Sequence, residues 1–388
     1  MTIVPEGGEE LAQCLAEAAA RKQQITLLGH STKGRMAGAI APSDVTISSA
    51  GLNHVLLYEP RDLTISVGAG ISYCELSRVL AEHRQMIPLD PPFSECGAYS
   101  DGAALPGRAT MGGIVAANTS GPRRRLYGSA RDMVIGMTFA TLEGKLIRSG
   151  GMVVKNVAGL DMGKLLIGSF GTLAAIATLN FRVYPMPIGT RTFVQDFEQI
   201  ADVMAARDAV LKSRLQPAAI DIVKSSGDYR LAVQAGGSAA VLNRYTRELV
   251  RMRVLEGVEE EAFWRGIREA TPQFLRAYPE GAVLRVSCVL SDVGRVLEAL
   301  PAQAIARAGS GVCYGYFERA ADLNAALRIP PVGASLVEFA PPDFRQNAGL
   351  QNALLWPQPG SDFAMMKKIK QMFDPQGLLN RGRLYGRI

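Results

Sequence analysis

The chain has 388 residues, 48% hydrophobic and 20% charged, which is enough apolar material for packed cores and argues against disorder. A formal net charge of +6 is too small at this length to be the footprint of a nucleic-acid binder. Five cysteines (Cys14, Cys74, Cys96, Cys288 and Cys313) include no C-x-x-C pair, so reduced thiols, a cytoplasmic location and no metal or iron–sulfur site are expected.

Met1 to Glu10 is acidic and lacks an apolar h-region, so no secretory signal is expected there. Glu9 to Arg21 has apolar residues at helical spacing, and Ile25 to Leu28 reads as a short buried strand ending at Gly29. Val45 to Ile47 is a second strand. Leu63 to Val67 alternates with period 2, ends at Gly68-Ala-Gly70 and leads into a helix over 71–83. Glycines then crowd the chain from Gly97 to Gly171, a density tolerated where backbone takes positive φ or approaches a ligand closely. Strands are expected at 133–142, 145–149, 174–177 and 179–184. The uncharged run from Leu165 to Phe181 reads as two buried strands around a glycine turn, being a little short to span a bilayer. Arg123-Arg124-Arg125 reads as a solvated loop.

Pro185-Met-Pro187 marks a boundary. Beyond it, strands at 191–197, 218–225, 229–235, 282–290, 304–317 and 334–340 are interspersed with helices at 198–213, 238–253, 259–270, 292–300 and 320–327. That order predicts an antiparallel sheet covered by helices on one face, an α+β cap. A last helix is expected at 361–373.

Four stretches point to a ligand. Gly29-His30-Ser31-Thr32-Lys33-Gly34 follows a strand directly, so its backbone N–H groups can converge on a pyrophosphate, with Lys33 adding a point charge. Arg35-Met36 follows where a phosphate-binding G-x-x-x-x-G-K-[ST] loop would carry Lys and Ser or Thr. Gly68-Ala-Gly70-Ile-Ser-Tyr73 begins like G-x-G-x-x-G, but Tyr73 replaces the third glycine, which disfavours a Rossmann site. The small-residue run from Ala109 to Gly121 would let backbone pack against a flat, extended ligand. Asn156 and Asp161 flank Gly159 and suggest further ligand contacts.

These motifs share one order with Asp62 to Gly70, Ala109-Thr-Met-Gly-Gly113, Tyr127-Gly-Ser-Ala-Arg-Asp132, Lys155 to Asp161, Gly168-Ser-Phe-Gly-Thr-Leu173 and Asp374-Pro-Gln-Gly-Leu-Leu-Asn380. The set resembles the FAD-binding fold of vanillyl-alcohol oxidase and p-cresol methylhydroxylase, and more closely the smaller FAD-binding subunit of bacterial glycolate oxidase. The resemblance implies an α+β fold. Residues 1–187 would form a two-lobed FAD-binding domain with the lobe boundary near 55, residues 188–345 the cap, and residues 346–388 a segment returning to the FAD domain. It implies that Gly29, His30, Ser31, Thr32 and Lys33 cradle the pyrophosphate. Thr110, Gly112, Gly113, Ala116 and Asn118 would line the ribityl and diphosphate region, Gly121 would also belong to the cofactor site, and Gly171 and Ile176 would border the adenine. Asn380 would reach back to the isoalloxazine ring. Two departures stand out: the first loop has fewer glycines than the family's, and Arg381 replaces the proline of the usual Asn-Pro-Gly tail. His30 stands where some members join flavin covalently to histidine, and no cysteine near Thr119-Ser120-Gly121 offers a second bond.

Oxidation of a 2-hydroxy acid by flavin needs a base for the hydroxyl proton and an acceptor for the carboxylate. The three histidines, His30, His54 and His83, all precede residue 84, and no His-rich motif follows the cap. Tyr99, Tyr314 and Tyr316 are the loose candidates for a base. Arg285, Arg328 and Arg345 are candidates for the carboxylate, though each also reads as a surface charge. The resemblance therefore implies a flavin subunit of a glycolate oxidase complex, with a larger catalytic flavoprotein subunit and an iron–sulfur subunit as partners. Any contact with a membrane surface would run through them. The alternative is a stand-alone FAD-dependent 2-hydroxy acid dehydrogenase.

Overall fold

The computed structural model describes residues 2–93, 109–153, 161–323, 334–346 and 360–384. Three larger sheets and a two-stranded antiparallel ribbon, β6 (Gln85–Met86) with β10 (Tyr184–Pro185), carry it. The first is small and parallel: β1 (Thr2–Ile3), β3 (Val45–Ser48) and β2 (Ile25–Leu28), in that spatial order. Helix α1 (Gly8–Ala20) covers it, burying Leu11, Ala12, Leu15 and Ala18 at the spacing of one helix face.

The second sheet is antiparallel. Its order is β4 (Val55–Glu59), β5 (Thr64–Gly68), β9 (Ala175–Arg182), β7 (Val134–Ala140) and β8 (Leu146–Gly150). Helix α2 (Tyr73–Ala81) starts where the Ser72 hydroxyl accepts a hydrogen bond from the Glu75 N–H, an N-cap that sets its first residue. Helix α3 (Met111–Ala117) is capped likewise by Thr110 and ends at Asn118, whose left-handed φ of 50° closes the helix. Both pack into one core with Ile65, Val67, Phe139, Leu179 and Phe181.

The third sheet has eight antiparallel strands. Its order is β14 (Arg253–Leu255), β11 (Gly189–Phe197), β13 (Asp228–Gly237), β12 (Ala219–Ser225), β16 (Ala304–Arg307), β17 (Val312–Phe317), β15 (Ala282–Ser287) and β18 (Ala334–Phe339). Helices lie on both faces rather than one. Helices α7 (Ile200–Lys212), α8 (Ala239–Glu248) and α11 (Val293–Ala299) join Phe193, Ile220, Ile222 and Leu284 in one core. Helices α9 (Gly257–Arg268) and α10 (Ala270–Ala277) pack with the alternate strand residues, Val194, Ala219 and Val283. Both sides of these strands are apolar because each must meet a helix layer.

Other expectations need correction. The run from Leu165 to Phe181 holds the short helix α6 (Gly163–Leu166), a turn and the single strand β9, not two strands. The stretch 304–317 is a hairpin, broken at Gly311, where φ is +69° and a Cβ would lie 2.1 Å from the Cys288 carbonyl oxygen. The helix over 259–270 is two helices meeting at Glu269. Cys74 is disulfide-bonded, so the thiols are not all reduced. The arginine run is not a solvated loop. Arg123 forms a 2.5 Å ion pair with buried Asp90, Arg124 donates to the Ser120 hydroxyl, and Arg125 donates to the Pro217 carbonyl at 3.0 Å. No helix among the described residues is long and apolar enough to cross a membrane.

Candidate functional site: a cleft closed by both ends of the chain

The loop after β2 lies against the start of α3. Gly29 faces Thr110 so closely that a Cβ on Gly29 would sit 2.2 Å from the Thr110 hydroxyl oxygen. Behind α3, a Cβ on Gly112 would meet the Ala69 methyl at 2.8 Å. Only backbone without a side chain fits at either point. The two glycines thus bring the loop, α3 and the turn after β5 together.

Gly29, His30, Ser31, Thr32 and Lys33 form one wall of an open cleft with about 880 Å³ of empty space. Thr110, Gly112, Gly113 and Ala116 form another, and Gly171, Ile176 and Asn380 complete it. Twelve of the residues singled out in the sequence therefore meet around one cleft. Asn118 and Gly121 line a separate cavity instead. Asp161 is exposed and lies 3.8 Å from the Lys164 ammonium group. Asn156 and Gly159 lie outside the described residues, as do Tyr99 and Arg328; the side chain of Arg345 is likewise not described.

The loop is held from three directions. Arg35 donates to the carbonyls of Pro279 at 2.6 Å and Gly281 at 3.1 Å, tying it to the third sheet. The Ala37 N–H donates to the Glu338 carbonyl on β18. From the tail, the Arg383 guanidinium donates to the carbonyls of Lys33, at 3.2 Å, and of Met36. Arg383 lines the cleft too, and the sequence reading missed it. Its only signal is its position three residues after Asn380.

Asn380 is buried and its amide is fully engaged. Its Oδ1 accepts from the Leu27 N–H, and its Nδ2 donates to the carbonyls of Leu27 and Phe170. Below it, Asp374 accepts from the N–H groups of Leu378 and Leu379 and from the Lys370 ammonium group. Lys370 also donates to the Thr172 carbonyl at 2.7 Å. Asn380 therefore sets the cleft wall through its hydrogen bonds to backbone.

The cleft's chemistry suits a diphosphate. The backbone N–H groups of Ser31, Thr32 and Lys33 meet no protein acceptor among the described residues. Ser31 holds a φ of +57°, the kind of turn that aims successive N–H groups at an anion. Lys33 is 9% exposed and forms no ion pair with a described residue. Burial pulls its ammonium down to about 8, against a smaller opposing pull from Glu269. A buried cation without a carboxylate in contact is costly alone and favourable beside an anion. These donors, with apolar walls at Leu27, Ile47 and Ile176, fit the pyrophosphate and the flat rings of FAD.

The second cavity, with about 640 Å³ of empty space, lies beyond α3. Ala117 borders the cleft and the next residue, Asn118, borders the cavity. Arg285, Arg307, Tyr314, Tyr316 and Glu338, from four neighbouring strands of the third sheet, form much of its lining. Arg285 is thus not a surface charge.

The fold and the cleft are those of an FAD-binding domain of the p-cresol-methylhydroxylase type, and similarity to FAD-linked oxidoreductases accompanies them. Residues 1–150 match the FAD binding domain family, and residues 353–384 match the C-terminal domain of FAD linked oxidases. The chain is 26% identical to glycolate oxidase subunit GlcE of Escherichia coli (strain K12), over 98% of both chains. It is 25% identical to glycolate oxidase subunit GlcD of Bacillus subtilis and 28% identical to a D-lactate dehydrogenase of Anaerostipes hadrus. It spans only 44% and 43% of the length of those two. Among solved structures, an alkyldihydroxyacetonephosphate synthase superposes with a TM-score of 0.67 at 16% identity, over 98% of this chain and 75% of that one. That likeness concerns the fold alone.

Proposed function

We propose that this chain is the FAD-binding subunit of a 2-hydroxy acid (glycolate) oxidase complex, an electron-transfer or accessory flavoprotein in the cytoplasm. Its partners would be a larger catalytic flavoprotein subunit and an iron–sulfur subunit. Residues 1–187 with 346–388 would form the FAD-binding unit and residues 188–345 the cap. FAD supplies two-electron oxidation and one-electron transfer when bound. The chain's own residues hold it: amides of Ser31 to Lys33 and the Lys33 ammonium on the diphosphate, Thr110, Gly112, Gly113 and Ala116 along its length, Gly171 and Ile176 by the adenine. The observation that carries the reading is the end-to-end similarity to a glycolate oxidase subunit, joined to a cap without histidine.

The stand-alone dehydrogenase is favoured by one observation, the charged second cavity facing α3. Anaerobic mixing of the purified, FAD-loaded chain with glycolate and with D-lactate separates the two. The accessory reading expects the flavin band to persist until the larger flavoprotein subunit is added. Rapid bleaching by the chain alone contradicts it.

A further inference from the structure

Two free thiols meet at one end of the third sheet. Cys313 lies on β17, opposite Val286 of β15. Cys288 follows the end of β15, and its N–H donates to the Gly311 carbonyl at 2.8 Å. Side chains alternate across a strand, so Cys288 emerges on the same face as Val286 and Cys313. It stands diagonally from Cys313, and Gly311, the residue opposite, puts no side chain between them. The two thiols share a hydrogen bond.

Their surroundings give them different characters. Cys313 is fully buried in the core that α7 and α11 build on the sheet. Cys288 is half-buried, and Val289, Leu290 and Ser291 after it are exposed, so a small solute meets Cys288 first. Arg207, buried on α7 and ion-paired with Asp208, donates to the carbonyls of Leu290 at 3.0 Å and Ala308 at 3.2 Å. The hydrogen bond with Cys313 holds the Cys288 thiol below its ordinary range, aided by the Arg207 charge and opposed by burial and Asp292. The same bond and burial push the Cys313 thiol up. Cys14, the other free cysteine among the described residues, is raised by burial and by Glu10 and Glu17. The thiolate is the reactive form, so Cys288 is the nucleophile of the three.

We propose that Cys288 and Cys313 form a reversible redox site, at which a peroxide oxidises the pair to a disulfide. The Cys288 thiolate attacks one peroxide oxygen, the O–O bond breaks, and hydroxide leaves a sulfenic acid on Cys288. The Cys313 sulfur then attacks the Cys288 sulfur, the S–O bond breaks, and the hydroxyl departs with the Cys313 proton as water. In sum, two thiols and one hydrogen peroxide give one disulfide and two waters. A diagonal pair starts with its Cα atoms roughly 7–8 Å apart, so closing the bond draws the end of β15 toward β17. The exposed residues after Cys288 give that end room to move. The bond ties β15 to β17 and closes the segment that carries α11 and β16 into a covalent loop. A small dithiol reverses it by exchange. Neither cysteine lines the FAD cleft or the second cavity, so the site stands independently of what those hold.

The test is stepwise addition of hydrogen peroxide to the purified chain, then alkylation of the remaining thiols with iodoacetamide in denaturant and peptide mass spectrometry. Cys288 and Cys313 are expected to lose alkylation together, joined in one peptide pair lighter by two hydrogens, about tenfold faster than Cys14 loses its own. Dithiothreitol is expected to restore both. Cys313→Ala is expected to leave a sulfenic acid on Cys288 that dimedone traps, and Cys288→Ser to leave Cys313 unreacted. Thermal unfolding shows whether each variant is folded, and the peptide map of the unaltered chain decides alone if one is not. Oxidation of Cys288 while Cys313 stays open to alkylation would overturn the proposal, as would Cys14 reacting first.

Discussion

Asn380 and Leu27 are 353 residues apart and exchange two hydrogen bonds, one from the Leu27 N–H to Oδ1 at 2.7 Å and one from Nδ2 to the Leu27 carbonyl at 3.2 Å. A third, from Nδ2 to the Phe170 carbonyl at 2.7 Å, joins the turn that carries Gly171. One side chain thus fastens three walls of the cleft. Asn380→Ala leaves three backbone groups, the Leu27 N–H and the carbonyls of Leu27 and Phe170, to find new partners. A loss of about 2–4 kcal/mol in the denaturant-unfolding free energy is expected, with weaker FAD retention on gel filtration. An unchanged unfolding midpoint would show the tail to be dispensable.

Lys33 gives a test in which the sign depends on the ligand. Its ammonium group is lowered to about 8 in the folded chain, whereas the unfolded chain keeps the ordinary value of 10.5. The folded apoprotein therefore carries a penalty below pH 8, relieved as pH rises from about 8 to 10.5, where only the unfolded chain still holds the proton. Lys33→Met should stabilise the apoprotein at pH 7 by at most about 3 kcal/mol and weaken FAD binding. Thermal unfolding with and without FAD reads both. Destabilisation of the apoprotein by this change would contradict the assignment.

Gly29→Ala places a methyl group 2.2 Å from the Thr110 hydroxyl oxygen. Loop or α3 must move, and the loop's amides move with it. FAD binding should fall at least tenfold, measured by quenching of flavin fluorescence on titration into apoprotein. Thr110→Ser in the same background removes a methyl group that would lie 2.8 Å from the new carbon and should recover part of the loss.

Asp374 holds the tail's turn through two N–H groups and Lys370, and its side chain is fully buried. Asp374→Ala leaves the Lys370 cation and two amides without their acceptor, a change expected to cost about 3–5 kcal/mol. Proteolysis should then release the tail first. If the tail stays protected while the third sheet is cut, the turn is not what holds it.

Much of the cleft was legible in the sequence because its signals are local. Gly29 to Lys33 directly follow strand β2, and Thr110 to Ala116 are the cap and body of helix α3, so each group is contiguous in the sequence and its spacing survives folding unchanged. The second cavity was legible only as isolated residues: Arg285, Tyr314 and Tyr316 were candidates, but nothing local joined them to each other. Arg285, Arg307 and Glu338 meet only through pairing of β16, β17, β15 and β18, whose register no single segment encodes. The hairpin at Gly311 was hidden for a related reason: Val312 to Phe317 continues the apolar run of β16, and only the close approach of the Cys288 carbonyl explains the glycine. Arg123 looked like a surface charge because its partner, Asp90, lies 33 residues earlier.

A cleft closed by Asn380 and Arg383 from one end of the chain, and by Gly29 to Lys33 from the other, is expected to hold FAD. Its most direct test is the visible spectrum of the purified chain, followed by acid precipitation. Both flavin bands are expected in stoichiometric amount, with the flavin released to the supernatant as FAD. A colourless protein that takes up no FAD on titration would contradict it.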